Sequence, residues 1–363
     1  MAPGSASFDK LETKYNHFVA PEADIWIDGQ SVRLSEMAVE WVEVELSIEP
    51  QADVARFSIT NGFILHETRF KWVGSTINIG KSIQVKMGYA DKKTVVFEGL
   101  ITGYSLDYPT NGSPSIIVTA MDRSFLMMKS SHSKVWIDMK DSDAVRQIAS
   151  AYGLSADIDA TTVQKTRIEQ AGVSDYHFVR SLAVDNDRNF YVTASKLYFK
   201  KPASDAPVVT LKYGQNLQSF LLEIDASSQM AEVKVRGYDV AKKVHVEASA
   251  KSVTAMSSKS STGPKLANQL STQKVEIVYT QVGSQAEAQV LATSMLERQA
   301  RELVSGRGTS IGLPEIMPGA MIKIEGLGNN GQLDQTLRIT KATHRLDADN
   351  GYMTEFETEG NAI

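Results

Sequence analysis

The chain contains no cysteine among its 363 residues. Disulfides, thiolate metal sites and cysteine nucleophiles are excluded together. Such a chain suits a reducing cytoplasm and equally a particle that has to survive outside a cell. No apolar run approaches the roughly 20 residues that span a bilayer as a helix, so no membrane insertion is expected. The opening residues M-A-P-G-S-A-S-F-D-K lack a basic stretch followed by an apolar one, so no signal peptide is expected. If the protein leaves the cell, it does so inside an assembly. Positive charge is not in surplus: 38 Lys and Arg stand against 43 Asp and Glu, a net charge of -5. That balance argues against a nucleic-acid-binding surface.

Catalytic signatures are missing as well. No G-x-S-x-G nucleophile turn and no G-x-x-x-x-G-K-S/T phosphate loop occurs. The six histidines, His17, His66, His132, His177, His245 and His344, form no H-x-x-x-H or H-E-x-x-H pair, so no zinc site is expected. His344 sits on an alternating strand pattern, where a structural hydrogen bond is the expected role. Gly326-Leu327-Gly328-Asn329-Asn330-Gly331 matches G-x-G-x-x-G. A dinucleotide loop needs a helix directly after it, and here the pattern runs into a strand at Leu337, so a hairpin turn is expected.

What is present is ordinary globular composition, 42% hydrophobic and 22% charged, at a length that calls for two or three domains. The most legible stretch is Lys81 to Asp122. Ile83, Val85, Met87 and Tyr89 alternate with polar or small residues, the period of a strand with one buried face. Leu100, Thr102, Tyr104, Leu106 and Tyr108 continue a second alternating run. Asn111-Gly112 supplies a tight turn, and Ile116 to Met121 returns as a third strand. Closure into a barrel is one way to hide the edges of such a meander. Tyr104, Leu106 and Tyr108 read as barrel interior or subunit interface, or else as an aromatic ligand platform.

Elsewhere, residues Met1 to Pro21 are polar and irregular and read as a disordered arm that orders against a neighbour. Ile25 to Ile27, Val39 to Ile48 and Val54 to Thr60 add strands. Asp141 or Ser142 caps a helix carrying Val145, Ile148, Ala149 and Tyr152, with Gly153 at its stop. A second helix starts at Ser174, and Asn189 to Thr193 with Lys196 to Lys200 form a hairpin. Val208 to Tyr213, Phe220 to Ile224 and Ala231 to Tyr238 resume strand patterning. Lys251 to Gln273, rich in Ser, Thr and Lys, reads as a long surface loop. Ser284-Gln285-Ala286-Glu287 is a capping box for a core-facing helix. Ile83 to Thr102 and Met321 to Thr340 share a strand-loop-strand pattern ending in Ile-Thr, an echo of duplication.

Glu355, Glu357 and Glu359 fall on one face of the last strand. Carboxylates are numerous enough for a paired-acid glycosidase, but this alternation points to a solvated or lumen-facing strip rather than a catalytic pair. No catalytic, cofactor-binding or metal residues are assigned.

Several phrases together resemble a known family. A strand ending in G-Y, then F-E-G-x-I-T, then a strand ending in A-x-D is similar to the first barrel of the phage late control protein D family. D-A-V-R-Q-I-A-S-A-Y-G-L, S-D-Y-H-F-V-R-S-L-A and V-K-V-R-G-Y-D follow in the right order. His344, Gly351, Tyr352, Thr354 and Phe356 carry the terminal phrase, so the resemblance runs from about Ile25 onward. The family comprises baseplate hubs of contractile tails, related to the N-terminal part of type VI secretion valine–glycine repeat spikes.

The resemblance implies a mainly β fold with an α+β insertion, and two similar small β-barrels per chain flanked by an α+β unit and a long helix. The implied division is an arm at 1–22, a first barrel at 23–130, an α+β domain at 131–206 and return strands to the first barrel at 207–240. A second barrel domain follows at 241–363, with surface loop 251–273 and helix 284–304. It also implies a homotrimeric hub of a phage tail, tailocin or related particle that adapts a six-fold tail tube to a three-fold spike. Implied partners are a tail tube protein, baseplate wedge and tape-measure proteins, and DNA or cargo in transit. Synthesis in the bacterial cytoplasm and assembly into the particle's baseplate are implied too. The chain ends at Ile363 without the oligosaccharide-binding-fold domain and β-helix that type VI spikes fuse there, so the spike is expected as a separate chain. The alternative function is a baseplate-associated cell-wall or polysaccharide hydrolase.

Overall fold

The computed structural model describes residues 7–48, 51–202, 206–239, 242–270, 275–280 and 282–363. Its frame is a thirteen-stranded sheet built from two sets of strands. The first set is β1 (Pro21–Ile27), β2 (Val39–Ser47), β3 (Val54–Ile59), β4 (Ser82–Tyr89), β5 (Lys92–Asp107) and β6 (Ser115–Met121). Their spatial order is β2-β3-β6-β5-β4-β1, followed by the edge pair Gln30–Ser31.

Two α+β units interrupt the second set. The first unit has β7 (Ser131–Lys140), β8 (Ser155–Ile158), β9 (Gln164–Ser174), β10 (Asn189–Thr193) and β11 (Lys196–Lys200). Helices α2 (Asp141–Ala151) and α3 (Asp175–Asp185) belong to it, and Trp136 stacks on Phe178 at 5.1 Å in its core. The second set then opens with β12 (Val209–Lys212) and β13 (Leu217–Ile224). The second unit follows: a three-stranded sheet of β14 (Glu232–Asp239), β15 (Val244–Ala250) and β16 (Val275–Tyr279), with helices α4 (Gly263–Leu270) and α5 (Gln285–Ala300). The set closes with β17 (Val304–Ile311), β18 (Met321–Glu325), β19 (Gln335–Asp347) and β20 (Gly351–Gly360). Its spatial order is β13-β17-β20-β19, with β18 on β19 and β12 on β18.

The two sets match strand for strand, in the same chain order. The Ile-Thr echo is physical. A bulge falls at Thr102 in β5 and at Thr340 in β19, between Ile101 and Gly103 and between Ile339 and Lys341. A second matching bulge falls at Glu40 in β2 and Gln218 in β13. Gly80 N–H donates to the Ile101 carbonyl, and Gly319 N–H to that of Ile339, each at 2.8 Å. Both glycines have φ near +88°, at 88° and 87°, a backbone state that residues with a Cβ rarely adopt. The sets differ at their last edge, where β1 runs antiparallel to β4 but β12 runs parallel to β18.

Edge to edge, β19 pairs with β2 and joins both sets into one sheet. Their shared core holds Phe57, Ile59, Val85, Val118, Ile322, Ile339 and Phe356. Alternation accounts for it: Ile116, Val118 and Ala120 of β6 point inward, as do Tyr352, Thr354, Phe356 and Thr358 of β20.

Three expectations change. Residues 207–240 do not return to the first set: β12 and β13 pair with β18 and β17, and β14 enters the separate three-stranded sheet. The second set therefore begins at Val209 rather than at 241. The physical reason is the duplication itself, since β13 occupies beside β17 the place that β2 occupies beside β3. Second, the 251–273 stretch contains a helix, α4, whose Gly263, Pro264 and Ala267 are buried; residues 271–273 lie outside the described ones. Pro264 is tolerated because a first helical turn needs no internal N–H donor there. Third, the arm is ordered from Ser7 onward, and its residues 1–6 lie outside the described ones. Helix α1 (Phe8–Lys14) buries Leu11, and Tyr15 packs on Tyr89 at 5.4 Å. Two buried apolar side chains four residues apart contribute roughly 2 kcal/mol each, which outweighs the polar composition.

Helix starts agree with their signals. Ser174 Oγ accepts the His177 N–H at 3.3 Å, and Ser284 Oγ accepts the Glu287 N–H at 3.2 Å. Asp141 instead lies inside α2, whose N-cap is Lys140. Gly326 to Gly331 forms the turn between β18 and β19.

Candidate interaction face

One face of the long sheet is buried in the core; the other carries a ladder of charge. On β20, Glu355 and Glu357 are exposed. Glu357 lies between Arg307 of β17 and Lys341 of β19 in the strand register, and Glu355 lies between Thr309 and Thr343. Across the β19–β2 junction, Lys341 Nζ meets Glu45 Oε1 at 2.8 Å and Arg345 meets Glu43 Oε2 at 3.0 Å. Arg56 reaches Glu43 at 3.5 Å. Cross-strand pairs of opposite sign on an exposed face contribute only modestly to stability. They leave this face mixed in sign, with carboxylates prominent.

Glu359 departs from its two neighbours. Its Oε1 accepts from Arg338 Nε at 2.7 Å and from Arg338 Nη2 as well, and lies 3.8 Å from Arg301 Nε. Arg338 and Arg301 are almost fully buried, and Arg301 also pairs with Asp187 of the first α+β unit. Glu359 thus anchors a buried ionic network rather than presenting free charge. Strand alternation alone missed this, because the pairing register sets Arg338 of β19 opposite Glu359 and tertiary packing brings in Arg301.

Behind this face sits a buried polar knot. His344 is fully buried on β19; Nε2 donates to the Ile316 carbonyl at 3.1 Å, which leaves Nδ1 to accept from Tyr352 Oη at 3.0 Å. Burial holds its imidazole down at about 4, below the ordinary 6.5. The expected structural hydrogen bond of His344 is therefore a three-partner site completed by Thr354 Oγ1 at 3.1 Å. Beside it, Gly312 N–H donates to the Tyr352 carbonyl at 2.8 Å, and a Cβ on Gly312 would lie 2.0 Å from Tyr352 Cγ. The ring is buried and its hydroxyl is held by His344. Gly312→Ala is therefore expected to cost about 1–3 kcal/mol in a urea melt; an unchanged midpoint would show that the ring can move aside.

The arm is tied to the same region. Tyr15 Oη donates to Glu315 Oε1 at 2.7 Å, and Lys14 Nζ meets the same oxygen at 2.6 Å. At the far end of the first set, Asp122 accepts from the Asp53 and Ser124 N–H groups at 2.5 Å each. Burial pushes Asp122 up to about 6, against the hydrogen bonds from Ser124 and Asp53. Burial, and then the Asp122 charge, also raise Asp53.

Among the described residues, no group of three or more His, Asp or Glu side chains is placed to hold a metal ion. His17, His66, His132, His177, His245 and His344 lie on separate elements; His132 bonds to Asp175 of α3, and His177 bonds locally to Ser174. No helix among the described residues is long and apolar enough to cross a membrane.

The fold is shared with proteins described as tail proteins and with a type VI secretion component. A 43 kDa tail protein of prophage MuSo2 from Shewanella oneidensis superposes with a TM-score of 0.68 at 13% identity, covering 93% of this chain and 98% of that one. A tail protein from Neisseria meningitidis MC58 gives a TM-score of 0.68 at 15% identity, covering 94% and 96%. An Escherichia coli protein described as a type VI secretion component similar to T4 bacteriophage tail proteins gives 0.53 at 13% identity, covering 93% and 77%. No curated protein matches the chain. Residues 20–346 match the family model described as the Alg8 N-terminal domain, and the chain belongs to that family. That description names a domain, not a reaction.

Proposed function

We propose that this chain is the structural hub of a contractile injection baseplate, in a phage tail, tailocin or related particle. Three copies form a ring in which each of the two matched strand sets acts as one small barrel, giving six similar units. Such a ring adapts a six-fold tail tube on one side to a three-fold spike, a separate protein, on the other. The observation that carries this reading is the duplication: two sets in the same strand order, with two bulges in the same register. A three-fold ring of duplicated units meets a six-fold partner with one kind of contact repeated. The shared fold with tail proteins supports the same role. Wedge and tape-measure proteins are further expected partners.

In this reading the charged face of the sheet lines the passage, with Glu355 and Glu357 presented and Glu359 held back by its arginines. DNA or cargo passes without being held, because tight phosphate binding needs clustered cations. Sedimentation of the purified protein, with imaging of the assembled particle, is expected to give three copies; a dimer or a six-copy ring would overturn it. The free trimer is expected to show no tight, salt-sensitive DNA binding. Reproducible cell-wall hydrolysis, lost on mutation of a single carboxylate, would favour the hydrolase instead.

A further inference from the structure

Where the first α+β unit and the end of α5 meet the long sheet, a cavity of about 240 Å³ is lined largely by charged residues. Five arginines line it: Arg180 from α3, Arg188 just after that helix, Arg298 and Arg301 at the end of α5, and Arg338 from β19. Three carboxylates share the lining, Asp187, Glu302 and Glu359. Five cations against three anions leave this described lining with a surplus of two positive charges, in a chain whose net charge is -5.

The carboxylates do not reach every arginine. Glu359 is shared by Arg338 and Arg301, and Asp187 pairs with Arg301. Arg188 and Arg298 form no ion pair among the described residues. Nη1 of Arg188 donates to the Asn186 and Asp187 carbonyls at 2.6 and 3.1 Å. Its Nε is buried and has no acceptor among the described residues, and a buried donor without an acceptor is costly. Burial holds the Arg338 guanidinium below the ordinary arginine range, and the Arg301 charge beside it adds to this. Burial lowers Arg188 as well. It would lower Arg301 too, but the bonds to Asp187 outweigh it and raise that group.

We propose that this cavity binds one small oxyanion, inorganic phosphate, which ties α3 and the end of α5 to β19. Guanidinium forks present paired N–H donors that match phosphate oxygens, and two surplus cations match a divalent anion. A space of this size holds one phosphate, not the run of phosphates that tight, salt-sensitive nucleic-acid binding needs. All five arginines belong to one chain, so the site stands apart from the hub reading and needs no second copy.

Isothermal titration with inorganic phosphate at constant ionic strength is expected to show one site per chain. Arg188→Gln and Arg298→Gln are each expected to weaken it about tenfold, the worth of one charge-assisted hydrogen bond. Arg33→Gln, at an exposed arginine outside the cavity, is expected to leave it unchanged. Phosphate is also expected to raise the wild-type thermal midpoint above its value in chloride of the same ionic strength, and to raise that of Arg298→Gln less. Arg298 is exposed, so Arg298→Gln keeps the fold and decides the matter if Arg188→Gln does not fold. A wild-type chain that does not bind millimolar phosphate overturns the proposal. So does phosphate binding that is unchanged in both cavity variants, or weakened equally in Arg33→Gln. Acetate binding as tightly as phosphate would make this a carboxylate pocket and overturn it too. None of these outcomes touches the copy number on which the hub reading is tested.

Discussion

Glu359→Leu is expected to destabilise the protein by about 3 kcal/mol or more, a greater effect than loss of either neighbouring glutamate on the same strand. The reason is what the substitution leaves behind. Arg338 and Arg301 have side chains only 3% and 8% exposed, and Glu359 is the carboxylate they share. Asp187 continues to neutralise Arg301, but among the described residues Arg338 keeps one hydrogen-bond acceptor, Asn189 Oδ1 at 3.4 Å, and the more distant Asp187 charge. A buried cation stripped of its partner is costlier than the pair was stabilising. Glu355→Leu and Glu357→Leu remove exposed charges and are expected to change stability by under about 0.5 kcal/mol. Urea melts of the three variants check this. Equal midpoints would mean that the arginines find water or another carboxylate.

The second large effect is in pH. His344 titrates near 4 in the folded chain and near 6.5 when released. Between those values the unfolded state binds the extra proton, so stability is complete above about 6.5 and falls as pH drops toward 4. The full difference is about 3 kcal/mol, at about 1.4 kcal/mol per pH unit. Asp122 works in the opposite direction. Its carboxyl is raised to about 6, so its contribution is present at low pH and is lost as pH rises through that value. Wild-type stability alone therefore mixes the two. The comparison that isolates the histidine is with His344→Gln, whose amide still donates to the Ile316 carbonyl and accepts from Tyr352. The wild-type advantage over this variant is expected to shrink by about 3 kcal/mol between pH 7 and pH 4. A constant difference across that range would place the imidazole's proton elsewhere.

Local signals in the chain read through directly. The Ser174 and Ser284 caps, the Gly326–Gly331 turn and the alternation of β4, β6 and β20 are each set by a few adjacent residues. In β5 the expected alternation fails, because the bulge at Thr102 breaks the period and Tyr104, Leu106 and Tyr108 are exposed rather than interior. The Ile-Thr echo was visible too, though residue identity between the halves is slight. A strand's partner, however, is not written in its own alternation. β13 carries the same kind of pattern whether it lies against the first set or the second, so its place beside β17 became visible only with the registers side by side. The arm's helix was hidden for a related reason: Leu11 and Tyr15 are apolar exceptions in a polar stretch, and the surface that buries them comes from distant strands.

The candidate face divides the same way. Sequence placed Glu355, Glu357 and Glu359 on one side of a strand, because a period of two residues fixes sidedness. Only tertiary structure separated Glu359 from the other two, because burial and ion pairing depend on what lies opposite: the strand register sets Arg338 beside it, and Arg301 comes from the end of the helical insertion. By itself, then, the sequence determined the mainly β class, the helix starts at Ser174 and Ser284, the Gly326–Gly331 turn and the faces of β4, β6 and β20, all effects of neighbouring residues. The fold alone decided which strands pair, which edges stay open and which charges are neutralised, since each is a contact between residues that the backbone brings together only on folding.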